Sequence, residues 1–599
     1  MKTIITTPSS DLAYSDFLHG GNVVHLPHLD TAPADEVLHH LTVHAARGLI
    51  TSRRPPEHVL RSWSEHITGT TFLSYVTGTP GRSGIRDLVE FTQPDGTLPA
   101  LAAALSGFER WFTLQRTVPL PPAPGPDGKD VVLVGAGIVN LITALYLWRA
   151  GHRVTVVDGA PAPGGDDWRR YGCTHAGDDA RMFTFTEMDS YNNQDFHSGP
   201  PPYFRLPVDR KGWLATGDRP LSAEERGWVE EFERVPSWLA RAYNQDVFAF
   251  TAEAFHEWTA LRRDHPELFE DVVLTDDVLR LYADPDHRRS ALARHRALGA
   301  VAREFTPDQL AAEFPALAHA FENGALAGGF LVPGFTVGIH RFTHRIVSFL
   351  RERGVVFHWD TPVRRVRRDG SGTVTGFDCG VPIPDDAHVV ASPGVQGRAL
   401  LAGSACEGRI HGVLGGWMRI GNERARLPYS LKVGRRRHVT EDANVTVAVD
   451  GDGRPTLIVG SGYGYTGAGT DADEAQLDAI RLGIMDTVER LFPDQSHPTA
   501  SSRAGDNYDF KYCVRPWTAT SLGIYHAETT VQGRLFVING GHNTGGFAQA
   551  PAIARAVLAS LGGQPHPMHA LYHPERFTAF MPEGAPVATA PRAPAASSI

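Results

Sequence analysis

The sequence predicts an α/β protein: a parallel, helix-covered sheet assembled from separated stretches, an α+β region with an antiparallel sheet, and an N-terminal helical extension. Three observations carry this. DVVLVGAGIVNLITALYLWRAGHRVTVVD (130–158) reads as buried strand, tight glycine turn, apolar helix and second strand. Residues 410–465 alternate in the manner of antiparallel strands. GRLFVINGGHNTGGFAQAPAIARAVL, from Gly533, repeats the strand, glycine-turn and helix signal late in the chain.

Taken in order, residues 1–120 contain helical spacing in ADEVLHHLTVHAARGLI and LPALAAALSGFERWFTL, and form the extension. It is expected to cap the site, mediate a homodimer or bind a partner; its residues do not choose. The five prolines and two glycines of VPLPPAPGPDGKD cannot continue a helix, so a linker is placed at 121–130. The nucleotide-binding domain is expected in three parts, 131–185, 330–405 and 510–575. A substrate domain takes 186–329, rich in charged helical patterns, and 406–509, with the antiparallel strands. The Pro/Ala-rich tail, 576–599, is expected to be disordered.

Composition narrows the function. A chain of 599 residues exceeds one core and suggests about four structural units. A net charge of −10 argues against a nucleic-acid partner, which favours a basic face. No run approaches the ~20 apolar residues of a membrane span, and MKTIITTPSSDLAYSDF lacks the apolar stretch of a secretory leader, so the protein reads as cytoplasmic. The 4 cysteines are widely spaced and fit neither a disulfide framework nor a zinc site, and no metal is expected.

In the turn Gly135-Ala136-Gly137-Ile138-Val139-Asn140, Gly135 permits the sharp reversal and Gly137 lets the backbone approach a pyrophosphate. The following helix offers free N–H groups to that anion. Asp158 ends the second strand, where a carboxylate accepts from both ribose hydroxyls and repels a 2′-phosphate. Asn140 stands where a third glycine is usual. The late junction (Gly540, Gly541, Gly545, Gly546, then Phe547) can stabilise negative charge at the N1/C2=O end of a reduced flavin. Two such sites far apart in sequence suggest a single FAD stretched between them, hence a split Rossmann-type FAD-binding domain. An NAD dehydrogenase needs only the first.

The chain resembles the D-amino-acid oxidase superfamily, which includes glycine oxidase, D-amino-acid dehydrogenase and sarcosine oxidase. The resemblance runs in scattered blocks over about 130–575: the first βαβ unit, LVPGFTVGIHRFTHRIVSFLRERGVVFHWDTPVRRVRRDGSGTVTGFDC with HVVASPG, CVRPWTATSLGIY, and the late glycine junction. It implies oxidation of the C–N bond of an amino acid or amine by hydride transfer to flavin N5, with oxygen or another electron acceptor as partner. GCTHAGDDAR, after Gly164-Gly165, is similar to the family's His-Gly-Asp-x-Arg segment near the flavin, though two residues longer between His175 and Arg181. A solvated loop with a local ion pair is the alternative. Arg515, in CVRPWT, matches the arginine near the substrate and suits a carboxylate. Cys513 has the place of the cysteine by which sarcosine oxidase holds its flavin covalently; a small buried apolar role is the alternative. His542 faces the flavin or is structural. PTLIVGSGYG (455–464) lacks the lysine that helps oxygen react in sarcosine oxidase, and Lys432 is a weak substitute on another segment. Two rival readings are a tailoring flavoenzyme of secondary metabolism acting on an unusual N-containing intermediate, and a subunit that binds FAD structurally.

Overall fold

The computed structural model describes residues 4–7, 23–77, 84–92, 98–115, 130–163, 180–188, 192, 214–215, 220–235, 237–423, 426–434, 441–449, 453–493 and 510–578. The linker at 121–129, Gly164, Gly165, His175 and the tail beyond residue 578 lie outside them.

The first βαβ unit forms as its sequence predicts. Strand β6 (Asp130–Val134) turns at Gly135 into helix α4 (Ile138–Arg149), and β7 (Arg153–Val157) follows. (Among the described residues, five strands and three α-helices precede it in the chain.) Val131 to Val134 are all buried, without alternation, because the sheet lies inside the main core, packed by α4, by the helix Gly546–Leu561 and by the hairpin across residues 365–378, whose Phe377 ring lies 5.3 Å from that of Phe536. The sheet has six strands, in the order Val356–His358, β7, β6, His388–Ala391, Leu535–Gly540 and Ile524–Thr529. The first five run parallel and the last is antiparallel. Three distant stretches of chain thus build one sheet. Helix α4 packs against the late helix Gly546–Leu561, so the two glycine junctions are neighbours.

A larger, ten-stranded sheet is mostly antiparallel. Its main path runs Arg303–Phe305, Gly328–Gly338, Thr275–Tyr282, Ser430–Gly434, Glu441–Val449, Pro455–Gly467, His411–Gly421 and Lys511–Trp517. One face packs Leu414, Leu431, Val445 and Val459 against the helix Glu474–Leu491. With the strand period of two, the alternate residues Gly415, Lys432, Asn444, Gly460 and Arg515 line a cavity on the other face. Three segments expected in the nucleotide domain belong to this sheet instead. Ala180–Thr184 and the strand across residues 330–338 pair with each other, and Lys511–Trp517 pairs with His411–Gly421. Short apolar runs show that a strand exists, but their partners lie far along the chain, so local pattern does not assign a sheet.

The N-terminal region corrects the expectation of a helical extension. Helices α1 (Ala34–Val43) and α3 (Leu98–Leu114) coincide with the predicted periodicity, and α2 (Glu57–His66) joins them. They accompany five strands: β1 (Ile4–Thr6), β2 (Val23–His25), β3 (Gly48–Arg53), β4 (Thr71–Thr77) and β5 (Leu88–Thr92). All pair in parallel, in the order β2-β1-β3-β4-β5. Strands of three to seven residues carry too little pattern to stand out beside long amphipathic helices.

Helix α3 ties this unit to the rest of the molecule. Glu109 on α3 accepts from both Nε (2.7 Å) and Nη2 (2.6 Å) of Arg576, whose Nη2 also lies 2.8 Å from Asp246 Oδ2. Arg110 on α3 pairs with Asp246 from the other side. Arg576 is 1% exposed, so the chain is ordered at the point where the disordered tail was expected to begin. The residue sits among prolines, which hid its partners from a reading of composition.

Candidate active site

The cavity, of about 660 Å3, opens at the carboxyl ends of β6 and β7 and is roofed by the large sheet. Gly135 has φ +95°, and a Cβ there would sit 2.6 Å from the carbonyl oxygen of Ser392. Its N–H donates to Val157 O (2.9 Å), which closes the turn. Gly137 precedes α4 with an ordinary φ of −67°, and a Cβ there would meet no atom within 4 Å. Gly137 therefore serves as bare backbone on the cavity wall. Asn140 takes the place of the third glycine productively. Its amide donates to Val134 O (2.9 Å) and Gly135 O (2.8 Å), securing the carbonyls at the turn, while Oδ1 is buried without a protein partner among the described residues.

Asp158 lines the cavity. Its two oxygens accept the N–H groups of Ala136 (2.5 Å) and Ala160 (2.6 Å). Burial pushes its pKa up against these amides, which favour the carboxylate.

At the late junction, Gly541 (φ +61°) and Asn543 (φ +50°) take left-handed conformations between the strand Leu535–Gly540 and the helix Gly546–Leu561. Asn543 Oδ1 accepts from Thr518 N–H (3.1 Å), and its own N–H donates to Pro516 O (3.1 Å). A Cβ on Gly541 would lie 2.6 Å from Thr518 Cγ2, and one on Gly545 2.5 Å from Met188 Cβ. Both glycines permit close packing; Gly541 also lines the cavity, and Gly545 is not among its lining residues. Gly546 and Phe547 line the cavity with the first helical turn, whose N–H groups have no partner within the helix. The Phe547 ring packs 5.0 Å from Trp258.

His542 also lines the cavity. Both ring nitrogens lack a hydrogen-bond partner among the described residues, and burial pushes its pKa down to about 3. It is neutral near pH 7 and offers a hydrogen bond rather than a charge.

Arg515 stands opposite Val413 and lies 5.9 Å from the Tyr463 ring centroid. A Cβ on Gly415 would fall 2.1 Å from Arg515 Nη1, so glycine there makes room for the guanidinium. Of Arg181 only the backbone is described; it pairs with Val337. Cys513 shares the sheet face of Arg515 but is fully buried, clustered with Trp417, Ala448 and Ile458, and is not among the residues lining the cavity.

Lys432, a weak substitute on sequence grounds, is joined by Glu187, which no sequence pattern singles out. They form a buried ion pair in the cavity wall, Nζ to Oε1 2.5 Å, with 4% and 7% of the side chains exposed. Thr184 Oγ1 also donates to Glu187 (2.9 Å). Glu187 carried no motif, and its partner is remote in sequence.

A glycine turn at the carboxyl edge of a parallel sheet, an acidic residue ending the second strand, and a second helix N-terminus at the same cavity define a dinucleotide-binding oxidoreductase. The chain belongs to the FAD dependent oxidoreductase (DAO) family, whose profile matches residues 130–560. It is 27% identical over 465 residues to a D-amino acid dehydrogenase of Methylobacterium sp. (strain 4-46), spanning 73% of this chain and 96% of the relative. It is 25% identical over 461 residues to a D-amino acid dehydrogenase of Paramagnetospirillum magneticum (strain ATCC 700264 / AMB-1), over 73% and 95% of the two chains. Among solved structures it is similar to glycine oxidase from Bacillus cereus ATCC 14579 (13% identity, TM-score 0.46, 74% and 96% covered). A second is L-proline dehydrogenase from P. horikoshii (14%, TM-score 0.48, 76% and 98%).

The cavity fits FAD. Gly137 leaves open space on its wall, and both ring nitrogens of His542, also on the wall, are buried polar atoms that the described protein groups leave unsatisfied. No helix among the described residues is long and apolar enough to cross a membrane.

Proposed function

We propose that this protein oxidises the C–N bond of an amino acid, with D-amino acids the first class to test given its relatives. The observation that carries this reading is Arg515, held on the cavity face of the sheet in space that Gly415 provides. A guanidinium there binds a substrate carboxylate through paired N–H donors. Gly135, Gly137 and the start of α4 would hold the pyrophosphate of FAD, Asp158 its ribose, and the Gly546 helix end the pyrimidine side of its ring. FAD, when bound, supplies the acceptor for the substrate's hydride. The protein's share is position and field: neutral His542 adds no charge beside the ring, and the Lys432–Glu187 pair presents a donor and an acceptor without net charge. Oxygen or another electron acceptor would serve as the second substrate.

Arg515→Ala is expected to raise KM for an amino acid roughly 100-fold, the worth of a charge-assisted bidentate contact of about 2–3 kcal/mol. The wild type should prefer an amino acid over its decarboxylated amine, and the variant should lose that preference. An unchanged preference would remove the carboxylate from the account.

The burial of Cys513 beneath Trp417 and Ile458 favours FAD held without a covalent bond. Acid precipitation is expected to leave a colourless pellet under a yellow supernatant; a yellow pellet would reinstate the thioether.

A further inference from the structure

The N-terminal α/β unit lies outside the matched family residues and carries a group of side chains that the redox site does not use. His28 stands on a 3-10 turn, Pro27–Asp30, and faces Glu36 and His40, one turn apart on α1. His28 Nε2 is 3.8 Å from Glu36 Oε1. One ligand atom from each of His28, Glu36 and His40 lies within 4.8 Å of the other two. The His28 and His40 ring centroids are 5.5 Å apart, and His44 stacks on His40 at 5.9 Å. His40 Nδ1 is buried with no hydrogen-bond partner among the described residues.

We propose that His28, Glu36 and His40 bind a divalent transition-metal ion of the Zn2+ type. Two imidazoles and one carboxylate suit a borderline ion, whereas Mg2+ and Ca2+ take oxygen ligands. Bonds of about 2.0–2.1 Å to a tetrahedral Zn2+ bring ligand atoms to roughly 3.4 Å from one another. The side chains of His28 and Glu36 are 54% and 45% exposed, so small rotations close the observed separations. Water or His44 completes the shell.

The consequence is mechanical. Asp30, on the same 3-10 turn, accepts from Thr7 Oγ1 (2.7 Å), Thr51 Oγ1 (3.3 Å) and Ser52 N–H (3.0 Å). These groups stand at the carboxyl ends of β1 and β3, the topological switch point of the parallel sheet, so Asp30 plugs the crevice where such sheets usually take ligands. An ion joining His28 to α1 clamps that plug in place.

The test is calorimetric titration of chelator-treated, FAD-loaded full-length protein with Zn2+. One equivalent should bind, His40→Ala and Glu36→Ala should each weaken it at least tenfold, and His66→Ala, on the neighbouring helix, should leave it unchanged. Co2+ should give visible bands of a tetrahedral site that the same two substitutions remove. No binding, or binding equally strong in the His28→Ala/His40→Ala double variant, would overturn the assignment. Circular dichroism and thermal unfolding of each variant verify that the N-terminal unit still folds.

Discussion

Gly135→Val is expected to purify without flavin, with affinity for added FAD lowered at least 100-fold. The residue has φ +95°, a conformation that costs an L side chain about 1–2 kcal/mol and a β-branched one more. The Cβ would also lie 2.6 Å from the Ser392 carbonyl oxygen. That carbonyl cannot easily retreat, because the Ser392 N–H donates to Val134 O (2.9 Å) in continuation of the sheet. The turn must therefore deform, and with it the first N–H groups of α4. Together the terms reach about 3 kcal/mol, a factor above 100 in a dissociation constant. Gly137→Ala separates local misfolding from loss of the cradle. Its Cβ meets nothing within 4 Å, so the chain should fold with unchanged circular dichroism. Weaker FAD binding in that variant reports the approach of the cofactor itself; unaltered binding would move the pyrophosphate elsewhere.

Arg576→Leu is expected to cost about 3–5 kcal/mol of stability, because it leaves Glu109 and Asp246 buried with half of their compensation gone. Glu109 and Arg576 have fully buried side chains, and Asp246 is 1% exposed. The Tyr243 ring, 4.7 Å from the guanidinium, loses a cation–π partner as well. Thermal unfolding read by circular dichroism should show a large fall in Tm, and limited proteolysis should release the N-terminal unit at temperatures where the wild type resists. Glu109→Gln alone should cost less, since its one amide oxygen still accepts one of the two hydrogen bonds from Arg576. A Tm within a degree of wild type for Arg576→Leu would show that the network is energetically idle.

Much of the candidate site was legible because its signals are local. The run 130–158 states its own strand, turn and helix, and the glycines from 540 to 546 do the same. What stayed hidden depends on contacts between distant residues. Asn140 looked like a defect in a glycine motif, yet its amide satisfies two carbonyls that only the folded turn brings together. Lys432, on the strand Ser430–Gly434, and Glu187, in the turn after Ala180–Thr184, meet only in the folded chain, which no spacing in sequence reveals. The N-terminal sheet escaped notice because strands such as IIT and VVH are too short to show a period. Arg576 was lost to the composition of its neighbours.

The most direct test of the account is anaerobic mixing of the purified yellow protein with D-amino acids, followed in the visible flavin band. The account predicts one FAD per chain, bleached by at least one of these substrates and recoloured when an electron acceptor is admitted. A protein that stays colourless after soaking in FAD, or a bound flavin that no amino acid or amine reduces, would contradict it.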